Sequence, residues 1–300
     1  MGKRVLLAVN TRARRGEAAR DLAAAALRAH GHEVVPVELD GSKDGLSQAI
    51  VAHRERVDVV VVGGGDGTLL TAIDGLLETK LPLVILPLGT FNELARTLGV
   101  PTGNDEVAAL VEGGARLELD LGCVNGVHYF NEASVGLSTR VARLQTGKVK
   151  KALGMLAIPV TTLRALRHAR PLHLEVEDAS GKRRQMRALQ LTIANSYRFG
   201  GVVENPEASL EDGQLWLYEI GVNGFWHNLR ILASVAVHRF QRSPDVVAVR
   251  GKRFVVRSVH GHAHRVYADS EDVASLPAEF TIVPRGITVL VPQDRVGSIR

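Results

Sequence analysis

The 300-residue sequence predicts an α/β N-terminal domain with a parallel sheet and a glycine-rich loop, followed by a β-rich, sandwich-like second domain. Three observations predict it. Through about residue 100, short apolar runs alternate with segments of helical spacing, the pattern of parallel strands covered by helices on both faces. The β-branched run Val57–Val62 ends in three glycines, at the carboxyl end of a strand, where such sheets bind ligands. Past about residue 120, strand-like segments with polar or Gly/Pro turns take over. The expected domains are 1–120 and 121–300, with the extreme C-terminus able to pack back on the first.

Arg4–Val9 is a short apolar run suited to a buried strand. Glu17–Ala29 is rich in Ala and Leu and stops at His30-Gly31, which predicts a helix. Glu33–Leu39 alternates as a strand, Gly45–Arg54 reads as a helix, and Val57–Val62 as a buried strand. Leu69–Leu77 has helical spacing, Leu83–Leu86 is another buried strand, and Asn92–Leu98 is a helix stopped by Gly99 and Pro101. In the second domain, Leu172–Glu177, Arg187–Ala194, Gln214–Ile220, Arg253–Val259, Glu279–Val283 and Ile287–Val291 read as strands. Met155–His168 and Phe225–Gln241 read as helices between them.

Composition bounds the function. Hydrophobic residues are 45% and charged residues 23%, which excludes disordered and fibrous classes. A membrane-spanning helix needs about 18 consecutive apolar residues. Ala152–Leu163, an uncharged stretch, is shorter and holds a proline and two threonines. Val5–Val9 is too short for a signal-peptide core and is followed by Arg12, Arg14 and Arg15. The lone Cys123 can form neither an internal disulfide nor a cysteine-rich zinc site. The expectation is a soluble, cytoplasmic protein. Its net charge of +5 favours anionic partners without choosing among them. The distribution says more: from Arg140 to Arg170 there are eight Lys or Arg and no Asp or Glu. Such a block suits a surface facing phosphate groups, or simply a solvated helical face.

The chemistry concentrates in Gly63-Gly64-Gly65-Asp66-Gly67-Thr68, between a strand and a helix. Glycines there let backbone N–H groups approach a ligand closely, and the following helix start favours an anion. The Rossmann fingerprint fails, because Thr68 and Leu70 stand where it needs glycine. Walker A fails as well, since no Gly-Lys pair is followed by Ser or Thr. Asp66 would repel phosphate by itself but suits a bridging Mg²⁺. A tight turn with a capping aspartate is the plain structural alternative. Pro87-Leu88-Gly89-Thr90-Phe91-Asn92 follows the next strand, and parallel topology sets it beside the first loop. Either Thr90 or Asn92 can cap the helix there and contact a nucleotide.

These two loops, with Glu93-Leu94-Ala95-Arg96 after the second, resemble the diacylglycerol kinase catalytic-domain family, which includes bacterial lipid kinases and the sphingosine and ceramide kinases. The likeness runs the length of the chain. Val9-Asn10 with its basic loop looks like the family's first nucleotide loop. Asp120-Leu121-Gly122, Asn131 and Val135-Gly136 look like its passage into the second domain. Asn195, Gly200-Gly201, Pro206 and Asp212-Gly213 look like β-domain landmarks, and Asp269-Ser270-Glu271 like its Asp-Gly-Glu signature.

The resemblance implies ATP-dependent phosphorylation of a lipid hydroxyl in a cleft between the domains, in phospholipid biosynthesis. ATP and Mg²⁺ are the implied cofactors. By position, Asn10, Gly64, Gly65, Asp66, Gly67, Thr68, Gly89, Thr90 and Asn92 would hold the nucleotide, with Asp66 orienting it and Mg²⁺. Glu271 would be the general base and Asp269 would support it. Asp212, with the backbone carbonyls of Ser209 and Gln214, would match a structural Mg²⁺ site.

Diacylglycerol is the default substrate, with sphingoid, ceramide or another lipid alcohol next. A soluble-metabolite kinase of the NAD kinase type and a non-catalytic lipid- or nucleotide-binding protein are the alternatives. A lipid enzyme must visit the inner face of the membrane, so peripheral, transient association is expected, through the basic block and the apolar Phe225–Gln241 stretch. No nucleic-acid partner is expected. The sequence leaves the oligomeric state open, a homodimer among the options.

The chain departs from the family pattern in places. Leu70-Thr71 stands where Asn-Glu is common, Glu93-Leu94 where Asp-Phe is, and Leu39-Asp40 where bacterial members often carry threonine. Ser270 replaces a glycine, so a turn requiring positive φ would be strained there. His260, His262 and His264 alternate. On a strand they would share a face, with successive residues about 6.8 Å apart, poorly placed for one tetrahedral metal.

Overall fold

The computed structural model describes residues 2–11, 16–39, 41–144, 157–199, 203–222 and 246–295. The Phe225–Gln241 stretch, Gly200-Gly201, Asp40, and the basic residues Arg12, Arg14, Arg15, Lys148, Lys150 and Lys151 lie outside them. The chain forms two compact units. The first comprises Met1–Leu121, Ser209–Glu211 and Val283–Arg300, and the second Gly122–Ala208 and Asp212–Ile282.

In the first unit, β1 (Arg4–Val9), β2 (Glu33–Glu38), β3 (Val59–Gly64) and β4 (Leu83–Pro87) pair in parallel in the order β4-β3-β1-β2. Every residue of β3 is buried, as are Val5–Val9 of β1, because helices cover both faces of a parallel sheet. That double burial is why both strands read as unbroken apolar runs rather than alternating ones. β2 is the edge strand, half exposed, and carries Pro36, tolerated where one side of the strand has no partner. The helices are α1 (Gly16–Ala29), α2 (Gly45–Ala52), α3 (Asp66–Leu70), α4 (Ile73–Thr79), α5 (Glu93–Thr97) and α6 (Asn104–Gly113).

The single helix expected over Leu69–Leu77 is two, broken at Thr71-Ala72. The break is held by one local bond and two from α2. Thr71 Oγ1 donates back to the Thr68 carbonyl at 2.8 Å. Ser47 Oγ donates to the Thr71 carbonyl at 2.8 Å and accepts the Gly75 N–H at 2.9 Å, stapling the break to α2.

The second unit is antiparallel. Strand β5 (Ala115–Val124) carries the chain out of the first unit, and β6 (Val127–Tyr129) pairs with its end. Then come β7 (Glu132–Gly136), α7 (Leu137–Leu144), α8 (Ala157–Arg167), β8 (Leu172–Asp178) and β9 (Arg183–Ala194). Two short strands, β10 (Arg198–Phe199) and β11 (Val203–Glu204), precede β12 (Leu215–Gly221) and β13 (Val246–Gly251). The unit continues with β14 (Arg253–Ser258), β15 (Arg265–Ala268), β16 (Glu271–Ser275) and β17 (Ala278–Val291). Neighbours run β16-β15-β7-β9-β8-β14-β17, with β12 also on β9 and β13 on β12. Among the described residues, Tyr129, Phe130, Phe254 and Phe280 are its largest fully buried side chains.

Two expected strands at the C-terminus are one. β17 runs through Pro284 and Gly286 with a kink at Arg285, whose φ is 50°. Its start pairs with β14, and Val289 pairs in parallel with Leu83 of β4. The kink is held by Asp120, 1% exposed, whose Oδ1 accepts the Arg285 N–H at 2.8 Å. The stretch 259–264 is irregular between β14 and β15, so the three histidines do not lie on a strand.

Candidate active site

The two glycine loops meet in the first unit, at the carboxyl ends of β3 and β4. The Leu88 N–H donates to the Gly64 carbonyl at 2.9 Å. A Cβ added to Gly89 would lie 2.5 Å from Gly65 Cα, and one added to Gly65 would lie 3.1 Å from Gly89 Cα. The two backbones therefore touch at positions where no side chain fits. A Cβ on Gly64 would meet the Thr68 side chain at 2.5 Å, so glycine there leaves room for the threonine. Asn10, just past β1, joins the same cluster. Its N–H donates to the Gly63 carbonyl at 2.8 Å and its Nδ2 to Thr68 Oγ1 at 3.2 Å.

Neither expected cap forms on α5. Asn92 occupies the cap position with φ 47°, but makes no capping bond to the helix. It closes its own loop instead: Oδ1 accepts the Gly89 N–H at 2.8 Å and Nδ2 donates to the Gly89 carbonyl at 2.9 Å. The left-handed backbone, which asparagine tolerates better than most residues, turns its side chain back on the loop. The N-terminal turn of α5 is met by Asp66, whose Oδ1 accepts the Leu94 N–H at 3.4 Å. Thr90 and Phe91 stand exposed at the tip, and Gly67 is exposed between half-buried Asp66 and Thr68.

Hydrogen bonds and close backbone contacts gather Asn10, Gly64–Thr68, Gly89 and Asn92 into one cluster. It offers backbone N–H groups, the Thr68 hydroxyl and the Asp66 carboxylate, whose Oδ1 meets a backbone N–H. Such a donor set suits a polyphosphate held with a hard divalent cation, to which Asp66 would contribute one oxygen. Bound Mg²⁺ would neutralise charge on the phosphate oxygens.

The other predicted residues lie elsewhere. Asp269 and Ser270 form the two-residue loop of the β15–β16 hairpin, with φ of 44° and 73°, and Ala268 pairs with Glu271 across it. Two positive-φ residues make the turn that joins tightly twisted strands, where glycine is favoured second. Ser270 is therefore strained, as anticipated for a serine in that glycine's place. Ser270→Gly should raise unfolding stability by about 1 kcal/mol, read by urea denaturation.

The Asp269 carboxylate is committed to the backbone. Oδ2 accepts the Phe130 N–H at 2.8 Å, and Oδ1 accepts those of Asn131 at 3.1 Å and Glu132 at 3.0 Å. The Asn131 carbonyl accepts the Asn195 N–H at 2.8 Å, and Asn195 Nδ2 donates to the Phe130 carbonyl at 3.0 Å. Asp269 thus locks the turn before Glu271 to the start of β7 and the end of β9. Nearby Tyr129, fully buried, has its phenol pushed well up by burial and then by the Asp269 charge. Its hydroxyl donates to the Ile193 carbonyl at 3.2 Å. Asp269→Ala should cost about 3 kcal/mol of stability by stranding these donors, measured by chemical denaturation. Glu271 opens β16 with an exposed side chain.

Asp212 Oδ1 accepts the Gln214 N–H at 2.8 Å, and Ser209 Oγ accepts the Glu211 N–H at 3.2 Å. Ser209 falls in the first unit and Asp212 and Gln214 in the second. Among the described residues, no group of three or more His, Cys, Asp or Glu gathers as a metal site. A site built on backbone carbonyls, as the resemblance implies, would need only Asp212 from that set. The bond from Asp66 to α5 and the grip of Asp269 on residues 130–132 are the site features that sequence reasoning missed. Neither has a spacing signal, because both are long-range contacts to backbone.

Residues 4–124 match the family model described as the diacylglycerol kinase catalytic domain. Residues 131–291 match the YegS C-terminal NAD kinase β sandwich-like domain. The chain is 28% identical over 258 residues to the diacylglycerol kinase of Bacillus subtilis strain 168, covering 84% of each chain. It is 27% identical over 271 residues to that of Staphylococcus aureus strain bovine RF122 / ET3-1, covering 89% of this chain and 84% of the relative. A crystal structure of a diacylglycerol kinase from Bacillus anthracis strain Sterne shares the fold, with TM-score 0.78 at 21% identity over 97% of this chain and 98% of that one.

Proposed function

Because this chain belongs to the diacylglycerol kinase catalytic-domain family, we propose that it is an ATP-dependent lipid kinase, transferring the γ-phosphate to a lipid hydroxyl, with diacylglycerol the foremost acceptor. The observation that carries the reading is the contact between the two glycine loops, with the Asp66 carboxylate reaching from the first to the Leu94 N–H beyond the second. Phosphoryl transfer asks mainly for positioning and charge stabilisation, to which backbone N–H groups and hydroxyls of the two loops are suited.

In this reading Asn10, Gly64–Thr68, Gly89, Thr90 and Asn92 line the nucleotide site, and Asp66 fixes phosphate and Mg²⁺ orientation. Glu271 accepts the proton of the lipid hydroxyl as its oxygen attacks the γ-phosphorus and ADP leaves. Asp269 is a positioning residue, holding the turn from which Glu271 projects. Ser209, Asp212 and Gln214 remain the proposed structural Mg²⁺ ligands.

The enzyme would work peripherally at the membrane's inner face. Support comes from α8, where exposed Val160 and Leu163 stand with exposed Arg164 and Arg167. No helix among the described residues is long and apolar enough to cross a membrane.

The test is ATP-dependent labelling in mixed micelles with Mg²⁺, offering diacylglycerol, ceramide, sphingosine and phosphatidylglycerol. Diacylglycerol should take the label fastest. Faster labelling of another lipid would move the substrate within the class. ATP binding without any lipid labelled would sink the reading and return attention to soluble metabolites.

A further inference from the structure

The second unit contains a cavity of about 470 Å³, walled by β7, α7, the start of β8 and the 260–265 connection. Arg140, Arg143, Arg170 and Arg265 line it, together with His173, His260, His262 and His264. No carboxylate stands among the described residues that line it. Arg265 is neutralised by Asp272 at 2.8 Å, and Arg143 lies over the Tyr267 ring at 6.0 Å. Arg140 and Arg170 also line an adjoining cavity of about 670 Å³, with Arg164 and His168. Val135, Leu137, Leu172 and Leu189 give the cavity an aliphatic part of its lining.

So much positive charge beside an aliphatic wall is complementary to one kind of molecule, an anion with a hydrocarbon tail. The histidines do not converge on a metal. Their rings follow one another at 5.1, 6.3 and 5.9 Å, from His173 through His260 and His262 to His264. Neighbouring rings at this spacing supply N–H donors along the cavity lining, to which oxygens of an oxyanion can bond.

We propose that this cavity binds an amphiphile bearing a phosphomonoester, its head among the arginines and histidines and its chain along the aliphatic wall. A phosphomonoester carries about −1.5 to −2 charge at pH 7 and three acceptor oxygens. It thus rewards several arginine forks at once, whereas a phosphodiester offers one charge and fewer free oxygens. Neither Asp269, Ser270 nor Glu271 lines the cavity. Arg265 lies three residues along β15 from Ala268, the partner of Glu271, or about 10 Å at strand rise. The product of the reaction proposed above belongs to this ligand class, but binding does not depend on that reaction.

The experiment is calorimetric titration of the full chain, without nucleotide, using monomeric dihexanoyl phosphatidate. Dihexanoyl phosphatidylglycerol, dihexanoylglycerol and inorganic phosphate are titrated in parallel. Phosphatidate should bind at least about tenfold more tightly than each of the others. The double variant Arg170→Gln/His260→Gln should lose on the order of tenfold in affinity with its melting temperature unchanged, since both side chains are exposed. Arg170→Lys, which keeps the charge but not the fork, should fall between. Equal binding of phosphatidylglycerol would overturn the proposal by reducing it to net charge. Inorganic phosphate binding as tightly would remove the amphiphile, and an unaffected double variant would place the ligand elsewhere. No ATP is present and no phosphate is transferred, so failure here leaves the kinase reading intact, and failure of lipid labelling leaves this site intact.

Discussion

Asp66→Ala should abolish ATP-dependent lipid labelling, lowering kcat/KM by on the order of 10³ while the protein stays folded. Losing a carboxylate that orients phosphate and cation removes several kcal/mol of transition-state stabilisation, and each 1.36 kcal/mol is about tenfold in rate. The same side chain also accepts the Leu94 N–H, so the alanine variant alone cannot separate chemistry from structure. That bond is long, at 3.4 Å, and its loss should cost about 1 kcal/mol at most. Asp66→Asn decides between the roles. Its amide oxygen can still meet Leu94, but the charge is gone. If charge matters, the asparagine variant is as inactive as the alanine variant while its melting temperature matches wild type. Wild-type activity in Asp66→Asn would reduce Asp66 to a bridge between the loop and α5.

The parallel half of the fold was legible because its strands are buried on both faces. Val59–Val62 has no solvent side, so its sequence is a plain apolar run, and the glycines after it mark where backbone must approach backbone. The break between α3 and α4 was not legible, since it depends on Ser47, more than twenty residues away in sequence. The kink that keeps β17 continuous depends likewise on Asp120, which reaches Arg285 across the chain. Proline and glycine at 284 and 286 read locally as a turn, and only the tertiary partner makes them a bend within one strand. The same limit applied at the site. Residue types at 66, 269 and 271 suggested carboxylate chemistry, but not which carboxylate is consumed by backbone donors. Asp269 is so consumed, and Glu271, two residues on, is left facing solvent.

That division of labour makes Glu271 the sharper test of catalysis. Glu271→Gln preserves the shape of an exposed side chain, so neither the hairpin nor the melting temperature should change. A general base contributes about 10²–10⁴ in rate, and kcat should fall by that factor. ATP affinity should stay within about twofold, because Glu271 belongs to a different unit from the glycine loops. Glu271→Asp withdraws the carboxylate by one methylene and should retain activity between wild type and glutamine, since misplacement of about 1 Å can cost 10². Asp269→Asn should lower kcat while leaving the KM for ATP alone, as expected when a positioning residue loosens the turn that carries the base. Unchanged turnover in Glu271→Gln would remove the base from this hairpin altogether. A fall in ATP affinity with kcat preserved would instead make Glu271 a nucleotide contact.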